Sequence, residues 1–289
     1  MKVKLNWFAI FVGILATLIS LIVVLEVGKK DIDWNKYEQA TSMMEDEGFN
    51  FNEKVEEGSV IRQPWNTVSS LYYVFVGAFL IALPYTPKTK EIAITSSKAL
   101  RILFGLAVII TGLGSAYMHM SMIFRAQFFD VAGMYLISVF IVMYAFRNVP
   151  KFTTTIFTAS YIIINAALLW GLEYAPELRR NLFLALILIG LILEYVLNRK
   201  VKGFTVDMLF AAASSLGFAY IIWQLDNFLP FSLERGTFFE QTGFFQGHSF
   251  WHLLGATACG VIYLHYSRTY KAANPELAEA KANKETVTV

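Results

Sequence analysis

Cysteine occurs once in the chain, at Cys259. That excludes an intramolecular disulfide and any cysteine-rich metal site. Charge is scarce as well. Only 16% of the 289 residues are Asp, Glu, Lys or Arg, against 56% hydrophobic ones, and a soluble domain of this length carries more. The formal net charge of +2 gives no basic surface for nucleic acid. Histidine is the most informative scarcity, because only His119, His248, His252 and His265 are present. What the chain has instead is apolar length. With 25 Phe and 14 Tyr it reads as a polytopic membrane protein.

Eight apolar stretches reach, or nearly reach, bilayer-spanning length, at roughly 5–26, 66–84, 98–119, 128–146, 152–172, 180–198, 204–225 and 244–266. They are continuous runs without period-two alternation, so helices rather than a closed barrel are expected. The fold class is all-α, a seven-helix transmembrane core plus one extra N-terminal transmembrane helix. The organisation is an anchor helix at 1–26, an acidic extramembrane segment at 27–65, the seven-span domain at 66–267 and a polar tail at 268–289. The first run is too long for a signal-peptide core, and no small-residue cleavage site follows it. Segment 27–65 holds nine acids against five bases. "MMEDEG" and "NEKVEEGS" read as solvated surface with carboxylates able to bind metal.

Eight spans put both termini on one side. That side collects Lys88, Lys98, Arg101, Arg147, Lys151, Arg199 and Lys200 in short basic loops. The positive-inside bias predicts cytoplasmic termini, with the acidic segment outside.

Ionisable groups inside a span are costly and need a reason. "TGLGSAYMHMS" ends the third span with Ser115 and His119. "QFFDVAGMY" opens the fourth with Asp130. "GHSFWH" opens the eighth with His248 and His252. With the predicted topology all five fall at the outer ends of their helices, at one depth. His248 and His252 are four apart and share a helix face, the geometry by which two imidazoles on one helix bind one zinc. His119 adds a third ligand, and a catalytic zinc site takes three and keeps a fourth position for water. His265 is excluded, because it lies about 20 Å further along the helix at 1.5 Å per residue. Asp130 either orients a ligand histidine or accepts a proton from metal-bound water. Ser115 can donate to an oxyanion. Together the set suits metal-assisted hydrolysis of an amide or ester.

Each part also has a plainer reading. A His-x3-His pair alone more often packs or hydrogen-bonds, and the serine of "GLGSA" serves close helix packing. A Ser115–His119 nucleophile pair lacks a nucleophile elbow. His265 reads as interfacial and Cys259 as packing. Glu194 and Asp207 read as partners for Arg199, Lys200 and Lys202. Trp170, Trp223 and Trp251 read as packing or aromatic belt.

From "RQPWNTVSSLYYVFVG" at Arg62–Gly77, through Ser115-x3-His119 and Asp130, to His248-x3-His252, the chain resembles the alkaline ceramidase family, within a superfamily that includes the adiponectin/progestin-type receptors. The resemblance covers residues 50–268 and is most similar to bacterial members. It implies that His119, His248 and His252 bind Zn2+, that Asp130 is the general acid/base and that Ser115 assists the oxyanion. It implies a ceramide-like lipid substrate entering from the bilayer, and no obligate protein partner is inferred. It also allows a Ca2+ site built around Glu53. Asn52 stands where the family has cysteine and Gln63 where a glutamate is usual, which removes a carboxylate that calcium wants. Three other functions compete: a zinc-binding receptor-like protein, a lipid esterase, and a haem electron carrier, which would need imidazoles on facing helices.

Overall fold

A computed structural model describes residues 6–40, 49–51, 53–84, 94, 97–201, 203–204, 206–228 and 247–273. Asn52, "MMEDEG", Lys202 and the tail beyond 273 lie outside the described residues. Among the described residues there are eight α-helices: α1 (Trp7–Gly28), α2 (Pro64–Ala82), α3 (Lys98–Ser121), α4 (Phe124–Ala145), α5 (Thr154–Tyr174), α6 (Arg179–Asn198), α7 (Val206–Phe228) and α8 (Gly247–Ala273). The first seven are long and apolar enough to cross a membrane. The all-α polytopic architecture is the one the composition predicts. α8 has the length, at 27 residues, but its three histidines and polar last turns make it the least apolar of the eight.

Helix starts follow local chemistry. Asn6, Ser97 and Thr153 cap α1, α3 and α5 by accepting from backbone N–H groups. α2 begins at Pro64, whose missing N–H costs nothing in the first turn. α3 ends at Met122, in the left-handed region (φ 55°), whose N–H returns to the Met118 carbonyl. Ile123 is extended and α4 starts at once, so α3 and α4 form a tight hairpin.

Small residues let these helices approach closely. A Cβ on Gly112 would lie 2.8 Å from the Ser70 carbonyl oxygen of α2. One on Gly114 would lie 2.6 Å from the Phe129 carbonyl oxygen of α4. α2 also packs on α8, α4 on α6, and α7 on α8, whereas α6 and α7 touch only sparsely. α1 packs on α2 and leaves Trp7, Phe8, Phe11 and Ile22 exposed, apolar surface that suits lipid and not water.

The acidic segment is less solvated than its composition suggests. Trp34 and Val55 are buried against Met118, Met120, Met122 and Ile123. Backbone bonds run from Ala40 to Met122, from Phe124 to Glu38 and from Arg62 to Met120. The segment therefore closes over the α3–α4 turn. Arg62 is buried there and donates to Gln39 Oε1 at 2.7 Å and Asn35 Oδ1 at 2.6 Å. Burial lowers its pKa, while Asp33 and Glu57 act in the opposite direction.

At the other end of the bundle two expectations, for Glu194 and His265, are corrected. Glu194 takes a bidentate pair from Arg147, at 2.6 and 2.7 Å, and not from Arg199 or Lys200. His265 is fully buried rather than interfacial, with Nε2 3.0 Å from Glu194. Asp207 meets Arg268 at 3.5 Å. The Arg147–Glu194–His265 set joins the short turn after α4 to α6 and α8, and its carboxylate reaches both partners only because those helices pack together.

Candidate metal centre and lipid cavity

His119 lies in the last turn of α3, and His248 and His252 in the first turns of α8. All three are buried, and one ligand-type nitrogen from each lies within 4.8 Å of the others. They form the one group of three or more potential metal ligands among the described residues.

Neighbouring groups fix which ring nitrogens face inward. Gln63 Nε2 donates to the Glu53 carbonyl at 2.7 Å, which leaves Gln63 Oε1 facing His119 Nδ1 at 2.7 Å. An amide oxygen only accepts, so His119 carries its proton on Nδ1 and keeps a lone pair on Nε2. On α8, the Ser69 and Ser70 hydroxyls donate to the Asn66 carbonyl and so accept from His252 Nδ1, at 2.8 and 3.3 Å. His252 Nε2 is then also a lone pair. His119 Nε2 and His248 Nε2 stand 3.2 Å apart, and His248 Nδ1 has no hydrogen-bond partner. Neither tautomer of His248 satisfies both of its nitrogens from the protein alone. Two nitrogens each bonded at 2.0–2.1 Å to a tetrahedral centre would be about 3.3 Å apart. The spacing of this pair therefore suits two imidazole ligands on one cation, and the three histidines could hold a metal ion.

Sequence reasoning missed the support of this cluster. "WNTVSS" was legible as a resemblance but not as chemistry. Asn66 binds Phe51, Ser69, Ser70 and Ser249, and Thr67 returns to the Gln63 carbonyl. Four polar residues in the first turns of an apolar span were the available signal.

Glu53 has a different role from the one considered for it. Its two carboxylate oxygens accept from the backbone N–H groups of Trp65 and Asn66, each at 2.8 Å. It caps α2, and no calcium ligand set forms around it among the described residues. Phe51, at the tip of the hairpin β1 (Phe49–Asn50) and β2 (Glu53–Lys54), packs on His119 and His248 with centroids 5.1 and 4.7 Å away.

Ser115 points its hydroxyl at His252 Nε2, 3.2 Å away, rather than at its own-helix neighbour His119. Ser115, Asp130, His248 and His252 line one cavity of about 490 Å3, whose remaining wall is largely Ile, Leu, Met and Ala side chains of α4, α6, α7 and α8. All five predicted site residues thus gather at one end of the bundle, with an apolar chamber below them. Cys259, Trp223 and Trp251 line this chamber rather than merely packing, whereas Trp170 is 69% exposed on the outside of the bundle.

The sequence model of a family described as Ceramidase matches residues 58–285. No curated protein matches the chain.

Proposed function

The chain belongs to the ceramidase family, and on that premise we propose that it is a zinc-dependent intramembrane amidohydrolase. Its substrate is ceramide or a related lipid, and its products are a free fatty acid and an amine. The observation that carries this reading is the buried cluster of His119, His248 and His252, opening onto a cavity that also holds Ser115 and Asp130.

His119, His248 and His252 hold the metal. Gln63 and Ser69 orient two of the rings by accepting their Nδ1 protons. Bound zinc supplies Lewis acidity to the amide carbonyl and acidifies a water for attack. Once the His252 lone pair is committed to a ligand role, the Ser115 proton is available to the carbonyl oxygen as it gains charge. The Asp130 carboxylate receives the water proton and returns it to the leaving nitrogen. The apolar lower chamber takes the acyl chain. The sparse contact between α6 and α7, which both line the cavity, suits lateral entry from the bilayer. Lysine and arginine placement favours cytoplasmic termini and a site towards the outer face.

Purified protein incubated with ceramide is expected to release fatty acid. A zinc chelator abolishes the release and added Zn2+ restores it. Asp130→Asn retains metal and loses about 10²–10⁴-fold in turnover. Fatty acid released at full rate in chelator overturns the metal-dependent reading, release from an ester but no amide favours an esterase, and bound metal without turnover favours a receptor-like protein.

A further inference from the structure

Arg180 lies in the first turn of α6 and lines the mouth of the cavity. Its spacing to Leu184, Ile187, Leu188 and Leu191 puts all five on one helix face, and all five line the same cavity. The face that walls the acyl chamber therefore ends, at the metal end, in a guanidinium.

That guanidinium is held by aromatic rings. Its Cζ is 5.7 Å from the Phe51 centroid and 5.4 Å from the Trp223 centroid. Both rings also pack on His248, at 4.7 and 5.1 Å. A chain of contacts thus fixes Arg180 one ring away from a proposed metal ligand. No carboxylate among the described residues comes within ion-pair distance of Arg180, although its charge acts on Asp130 in the same cavity; Arg125, Arg147 and Arg268 each have a carboxylate partner. Among the described residues no hydrogen bond is formed by the Arg180 N–H groups, and their planar fork matches carboxylate or phosphate. Asn181, beside it at the same mouth, adds a neutral donor.

We propose that Arg180 is a specificity-determining residue that binds an anionic group on the amine portion of the substrate, so that the preferred lipid is an N-acyl amide with a carboxylate or phosphate near the amide nitrogen. This rests on the amidohydrolase reading, since the anion is placed relative to a scissile amide whose acyl chain runs down α6.

The test uses two lipids with the same acyl chain, N-oleoylglycine, which carries a carboxylate, and N-oleoylethanolamine, which carries a hydroxyl. Hydrolysis of both is measured on the same sample of full-length protein, and affinity for both is measured on the Asp130→Asn variant. The acid is expected to be preferred about tenfold or more in kcat/KM and in affinity, as a charge-assisted bidentate contact allows. In Arg180→Gln the ratio falls to within about twofold of one, and Arg180→Lys retains part of it. Because each ratio is taken on one sample, a loss of folded protein cancels. The inference is overturned by a wild-type ratio near one, or by a ratio that Arg180→Gln leaves intact. Selective binding of the acid without hydrolysis of either lipid leaves Arg180's role standing and removes the hydrolase reading instead. N-oleoyl phosphoethanolamine as a third lipid separates phosphate from carboxylate as the favoured anion.

Discussion

Gln63 decides, by a single hydrogen bond, which nitrogen of His119 faces the cluster. Its amide is fixed at both ends, by the Glu53 carbonyl and by the imidazole, and it is fully buried. Removing such a support from a metal-ligating histidine typically costs 10–100-fold in affinity. Gln63→Ala is expected to weaken Zn2+ binding within that range, measured by competition with a chromophoric chelator, and Gln63→Glu, which still accepts from Nδ1, retains tighter binding than the alanine variant. At this scale the sequence showed the ligands and not their supports. Two histidines four residues apart are visible as letters, whereas the Gln63–His119 contact spans 56 positions and that of Ser69 with His252 spans 183. No periodicity reports contacts of that range.

Single elements were legible wherever the apolar runs were long. The expected spans at 66–84 and 128–146 correspond to α2 at Pro64–Ala82 and α4 at Phe124–Ala145, with starts displaced to where Pro64 and the α3–α4 turn put them. Acids dominate the composition of the segment at 27–65, and Lys54, Glu56 and Glu57 of "NEKVEEGS" are exposed as that stretch predicts. Trp34, Val55 and Arg62 are nonetheless buried, and Glu53 spends its charge on the first turn of α2. A carboxylate there is favoured by the unpaired N–H groups and the helix dipole. Glu53→Ala is expected to destabilise the protein by about 1–2 kcal/mol, read as a lower midpoint of thermal unfolding in detergent. It is also expected to weaken metal binding, because the Asn66 carbonyl accepts from Ser69 and Ser70, which orient His252. A variant with unchanged stability and unchanged affinity would dissociate the hairpin from the site.

For the whole molecule, composition alone settled the class, and the shared depth of Ser115, His119, Asp130, His248 and His252 predicted that one end of the bundle carries the chemistry. What it did not reveal is how the opposite end is locked. Arg147, Glu194 and His265 come from three helices and meet with no exposure of the carboxylate, so their pairing follows from packing rather than from any local pattern. Arg147→Met would strand a buried carboxylate beside His265 and is expected to cost about 3–5 kcal/mol, measured as loss of thermal stability, with Glu194→Gln in the same background recovering part of it. The proposed metal site lies at the other end, where three buried imidazoles converge and neither tautomer of His248 satisfies both of its ring nitrogens. X-ray absorption at the zinc edge, with metal quantified per chain, tests it most directly. About one zinc per wild-type chain is expected, coordinated by three imidazole nitrogens and one oxygen, with loss of that zinc in His119→Ala, His248→Ala and His252→Ala. A full equivalent of zinc retained in all three variants, or a first shell without imidazole, would contradict it.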